Sequence, residues 1–153
     1  MRTLGLSCLI VLSCALAGCG ERETRIPVDR ATGENVTLRT GNTIAAPANL
    51  PDFAPLYPGA RIESVLEGNG STSQNGGMVA FRTNDAPDKV VAFYKARLDA
   101  SALSERSLAN LGGSVILAAN AADDADRGVQ VAIAPITDEP GSYVTVTYHL
   151  GEG

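Results

Sequence analysis

A chain of 153 residues, 44% of them apolar and 19% charged, is long enough to bury one core, and its composition is not that of a disordered chain. Its formal charge of −5, from 12 basic and 17 acidic residues, excludes nucleic acid as an expected partner, because an acidic surface repels phosphates. With one histidine and three cysteines, a metalloenzyme would lack its usual ligands.

Residues 4–17 carry no charge and follow Arg2 and the initiator amine. As a helix rising ~1.5 Å per residue they would span about 21 Å, short of the ~30 Å of a bilayer core, so they read as a signal peptide rather than a membrane span. The run ends in Leu16-Ala17-Gly18-Cys19, which resembles the lipobox of bacterial lipoproteins. That resemblance implies a diacylglyceryl group on the Cys19 sulfur, cleavage between Gly18 and Cys19, and acylation of the new amino terminus. Residues 1–18 would then be the signal peptide, and the membrane would be a partner through lipidated Cys19. Cys8 and Cys14 would leave with the signal, so no disulfide framework is possible. Removal of Arg2 takes the charge to −6, with 11 basic residues against 17 acidic ones, and argues against electrostatic attachment to headgroups. Two or three acyl chains hold on their own, at ~0.8 kcal/mol per buried methylene. The residue after Cys19 is Gly20 and not aspartate, so the resemblance points to the outer membrane, facing the periplasm. In an organism with one membrane it implies that membrane's outer face.

Residues 19–49 mix charges of alternating sign with little to bury and read as a tether, with a reach of roughly 30 Å if wholly disordered. A small hairpin of residues 36–39 and 43–45 around Thr40-Gly41-Asn42 is the competing reading, and it would shorten that reach. Residues 50–60 begin the folded part. Pro51, Pro55 and Pro58 forbid regular helix and interrupt any ladder of donors, so the segment runs extended. Its Leu50, Phe53, Leu56 and Tyr57 need burial, either as a strap across the core or as an aromatic platform for a ligand.

Alternation predicts strands over residues 61–66 and 78–83. The glycine-, serine- and asparagine-rich residues 68–77 between them lack the lysine of a phosphate-binding loop and read as a hairpin connection. Asp85-Ala86-Pro87-Asp88 predicts a helix start, with Asp85 as the cap and the helix running to about residue 100. Val90, Val91, Tyr94 and Leu98 form its apolar face, with Phe93 at the edge. Residues 101–110 are ambiguous, a second short helical turn being one reading, and Gly112-Gly113 ends them. Strands follow over residues 114–119, 128–134 and 143–150.

The expected fold class is therefore α+β: a two-layer domain from residue 50 to 153, with a mostly antiparallel sheet of about five strands covered on one face by one main helix, in the order ββαβββ. Residues 50–60, followed by the strands and the helix bearing Phe93-Tyr94, also resemble a recurring uncharacterised type of bacterial envelope lipoprotein domain. That resemblance implies no activity.

Reactive side chains are scarce. His149 falls on the strand side shared with Tyr143, Thr145 and Thr147, the side expected to be wet, and reads as an ordinary exposed histidine. Asp123-Asp124-Ala125-Asp126 has no bidentate acid at the spacing of a calcium loop and reads as a solvated hairpin turn. No enzyme, cofactor or metal site is expected. The leading expectation is an interaction or structural accessory module whose partner is another envelope protein. The alternative is a binder of a small apolar ligand or cell-wall fragment, in a cleft walled by Phe53, Tyr57, Phe93 and Tyr94.

Overall fold

The computed structural model describes residues 20–29, 34–69 and 76–151. Within them run the strands β1 (Arg22–Asp29), β2 (Glu34–Thr40), β3 (Arg61–Asn69) and β4 (Gly76–Thr83), the helix α1 (Pro87–Asp99), and the strands β5 (Glu105–Leu111), β6 (Ser114–Asn120), β7 (Arg127–Pro135) and β8 (Ser142–Leu150). All eight strands join one antiparallel sheet in the order β1-β2-β3-β4-β8-β7-β6-β5. It consists of two four-strand meanders sewn together by the β4–β8 ladder, with α1 as the connection between them.

The expected five-strand, two-layer class is thus corrected to an eight-strand antiparallel sheet with one short helix. The five predicted strands and the helix are present, and the three additional strands are β1, β2 and β5. All three lie toward the two edges of the sheet, where strands have fewer neighbours to pack against and need no continuous apolar stripe. β1 is exposed from Arg22 to Pro27, and its charges, read as a tether's, are those that keep an edge strand from pairing with other chains. The expected hairpin of residues 36–39 with 43–45 is instead β1 with β2, in a register that pairs Arg22 with Thr40 and Ile26 with Val36. The sheet therefore starts at Arg22, well before residue 50. β5 takes the place of the ambiguous second helical turn. Gly112 and Gly113, at φ of 56° and 89°, make the two-residue turn that returns the chain into β6, and that geometry strains most residues with a Cβ.

The central strands form because their apolar residues alternate. Val65, Val79, Val146, Val131 and Leu117 are cross-strand neighbours in one row on one face, all buried. In the next row Ile62, Phe81, Val144 and Ile133 do the same. Gly77 lies opposite Tyr148 on that face, where a Cβ would come within 2.7 Å of the tyrosine hydroxyl, so glycine makes room for the ring.

α1 lies on this face above β6 and β7, burying Val90, Tyr94 and Leu98, each of which contributes ~1.5–3 kcal/mol. Asp85 is not its cap. The cap position is Ala86, which offers no side-chain acceptor, while Pro87 fills the first turn and Asp88 supplies its negative charge. Residues 41–60 form the strap beside the helix on the same face, contributing Ile44, Ala54 and Tyr57 to the core. Asn49 accepts a 2.8 Å hydrogen bond from Tyr148 at its far end. Among the described residues, no helix is long and apolar enough to cross a membrane.

Candidate functional site

Cys19 and Gly18, the residues of the expected lipidation and cleavage, lie outside the described residues. The middle of the loop over residues 68–77 does as well, and the strands on either side run to Asn69 and from Gly76.

Phe53, Tyr57, Phe93 and Tyr94 sit along the seam between strap and helix. Tyr57 and Phe93 meet edge to face at 5.0 Å, and Phe93 and Tyr94 do so at 5.1 Å. Tyr94 is wholly buried and donates to the Pro55 carbonyl at 3.1 Å; burial pushes its hydroxyl pKa well above the ordinary tyrosine value. Tyr57 donates to Asp85 at 2.9 Å, and Asp85 also accepts from Lys89 at 2.9 Å. The Lys89 and Tyr57 hydrogen bonds hold the Asp85 carboxyl below its usual range. Phe53 is half-buried, with the Arg127 guanidinium 5.8 Å above its ring. Three of the four rings, Tyr57, Phe93 and Tyr94, meet edge to face, and a ligand entering between helix and strap at that point would have to part Tyr57 from Phe93.

The opposite face of the sheet is different in kind. Among the described residues, α1 and the strap both lie on the Val131 face, and no element covers the other one. Its side chains fall in rows set by the ladder. One row crosses the whole sheet through Thr24, Leu38, Leu66, Met78, Thr147 and Gln130 to Ala118 and Ser107. A second runs from Arg22 through Thr40, Ser64, Ala80, Thr145 and Ala132 to Ile116 and Ala109.

Neither full-width row holds a carboxylate, in a chain whose net charge is −5. Arg22 stands in the second row, and Arg61, Arg82 and Tyr143 form the row beyond it. Glu63 and Glu139 at this rim are both paired with Arg82, at 2.7 and 3.0 Å, while Glu105 occupies a register position at the far β5 edge and Asp29 and Glu34 occupy register positions at the far end of the β1–β2 ladder. Arg22 and Arg61 are exposed, with no ion pair among the described residues. Ile26, Val36, Leu38, Leu66 and Met78 make a contiguous apolar patch on β1–β4, with Ile26 45% exposed.

A shallow hollow of about 240 Å³ opens on the β6–β8 half of the same face, between Asn120, Gly128, Gln130, Thr147 and His149. His149 is exposed there, on the side of Tyr143, Thr145 and Thr147. The Asp123–Asp126 turn folds on itself: the Asp126 amide donates to the Asp124 carboxylate at 3.0 Å, and the Arg127 amide donates to the Asp124 carbonyl at 3.0 Å. Among the described residues, no three histidine, cysteine, aspartate or glutamate side chains gather as a metal site would require.

The open face escaped the sequence reading because β1 and β2, a quarter of its strands, read as a tether. The alternation of Ile26, Val36 and Leu38 with polar neighbours was its one available signal.

An eight-strand antiparallel sheet that carries a single helix between its two meanders is the class of domain defined by these elements. A family profile described as START domain-like matches residues 62–142, from β3 to the first residue of β8, which is more than half of the chain. The chain belongs to this START domain-like family. No curated protein and no solved structure matches it.

Proposed function

We propose that this START domain-like chain is a non-enzymatic binding module of the bacterial envelope, held by acyl chains on Cys19 and working through the open face of its sheet. The observation that carries the reading is the closing of the apolar residues 4–17 by Leu16-Ala17-Gly18-Cys19, directly ahead of the first strand. Gly20 after the cysteine supports placement at the outer membrane, facing the periplasm. Family membership is compatible with a binding role, and the open face supplies a surface that the packed helix–strap seam does not.

The test is the mass and partitioning of the exported protein. The native chain should begin at Cys19, carry a diacylglyceryl and an acyl increment, and enter the detergent phase. Cys19→Ala should remain folded and move to the aqueous phase. A native chain found uncut, with a bare thiol, removes the reading.

A further inference from the structure

Only Gly20 and Glu21 separate Cys19 from Arg22, the first residue of β1. Three residues of extended chain reach at most about 10 Å. The headgroup layer on each side of a bilayer is ~5–8 Å thick, so a chain acylated at Cys19 keeps β1 at the headgroups and cannot hold the domain away from them. A sheet fixed by that edge can stand on it or lie down on one of its faces.

The apolar patch and the charges nearest the anchor decide between these arrangements. Beside β1, the covered face carries Glu21 and Glu67, both bound to Arg39, and Glu23, bound to Arg25, so that three acids stand against two arginines. Turned toward anionic lipid, that side would offer only arginines that are already paired, with one carboxylate in excess. The open face offers an apolar patch and, at its anchor end, two arginines without an ion-pair partner among the described residues; its acids are bound to Arg82 or hold register positions at the far ends of their strands, Asp29 and Glu34 on β1–β2 and Glu105 on β5. Basic residues near an anionic surface each strengthen contact by about fivefold, and apolar side chains add to this by leaving water. The acidity of the whole chain hides this division.

We propose that the open face, with the patch from Ile26 to Met78 and with Arg22 and Arg61, lies flat against the anionic phospholipid bilayer that holds Cys19. The proposal rests on the acylation of Cys19. Lying flat brings β7 down to the lipid as well, although it is five strand spacings from β1, roughly 24 Å. Standing on the edge would leave β7 in water.

The test uses the full chain, exported and acylated, in vesicles of phosphatidylethanolamine and phosphatidylglycerol that contain a headgroup-level nitroxide lipid as quencher. A fluorophore is placed on Gln130→Cys, on the open face of β7, or on Lys95→Cys, on the outer side of α1. The label at Gln130→Cys should be quenched several-fold more than that at Lys95→Cys, and Arg22→Glu with Arg61→Glu should bring it down to the Lys95→Cys level. Protein that floats with the vesicles yet shows equal quenching at both positions overturns the flat orientation and leaves the anchor standing. Protein that does not float overturns both. Protection of Gln130→Cys that persists in detergent at a dimeric mass assigns the face to a second copy and also overturns the proposal.

Discussion

The two faces of this sheet share every backbone hydrogen bond and differ in almost everything else. One is closed by α1 and the strap, and its central rows are valine, isoleucine, leucine and phenylalanine. The other, built from the same strands one residue out of phase, presents threonine, alanine, arginine and a separate apolar patch. A sheet one helix wide in its covering spends its strongest residues on one side, and what remains on the other is free to be selected for contact. The comparison teaches that apolar side chains here stand in two different settings, a packed core and an uncovered sheet face.

The largest effect should come from truncating the covered face. Phe81 is fully buried between Ile62 and Val144, and Phe81→Ala should cost about 3–5 kcal/mol in urea unfolding. Its open-face counterpart, Met78→Ala, should cost less than about 1.5 kcal/mol, because the half-buried side chain gives up little packing. Equal costs would mean that both faces are covered in solution.

A smaller effect is expected at Arg39, which ties the outer strands to the strap. It reaches Glu67 at 2.9 Å, Glu21 at 3.3 Å and the Ala45 carbonyl at 3.3 Å. Burial works against its charge, but the Glu67 and Glu21 pairs outweigh this and raise its pKa. Arg39→Ala should cost about 1–3 kcal/mol and speed amide exchange in β1 and β2 while leaving β7 and β8 slow. Uniform acceleration across all strands would show that the N-terminal hairpin is not an independent unit.

The smallest effect appears only in alkali. Burial, with the nearby Glu67 charge, pushes the Tyr148 hydroxyl up to about 12 from its ordinary 10.0. The folded protein therefore keeps that proton after the unfolded chain has lost it. The resulting stability is complete below pH 10 and falls as the pH rises from there toward 12. Tyr148→Phe should flatten this loss in thermal melts between pH 10 and 12, at a neutral-pH cost of about 1 kcal/mol for the hydrogen bond to Asn49. An unchanged alkaline slope would assign the loss to Tyr94 and Tyr57, whose hydroxyls burial also pushes up on the same face.

The legible part of the fold is the part that packs on two sides. Val129, Val131 and Ile133 alternate cleanly because β7 has neighbours on both edges and a core beneath it. The helix from Pro87 follows from its proline and its Val90, Tyr94 and Leu98 spacing. The edge strands obey another rule. In Arg22-Glu23-Thr24-Arg25 the charges guard an open ladder, and a solvated tether has the same composition. In β5, Leu108 and Leu111 are 50% and 62% exposed, so no dry stripe marks the strand. Of the aromatic residues expected to wall a cleft, Tyr57, Phe93 and Tyr94 meet ring to ring, while Phe53 meets Arg127, and ring contacts of about 5 Å are not encoded by any spacing in the sequence. The acid-free rows were hidden for a related reason: composition sums charges over a surface that the ladder divides.

The β4–β8 ladder has a kinetic consequence. It is the one pairing that joins strands far apart in sequence, Thr83 with Ser142, while every other ladder links neighbours through a short turn or the strap. Closing a span of roughly 60 residues costs some 3–4 kcal/mol in chain entropy before any contact repays it. Each meander can zip locally and quickly, so the slow step of refolding should be the meeting of Val79 and Phe81 with Val146 and Val144. Substitutions along that join should slow the approach to the native state more than equally costly ones inside either meander.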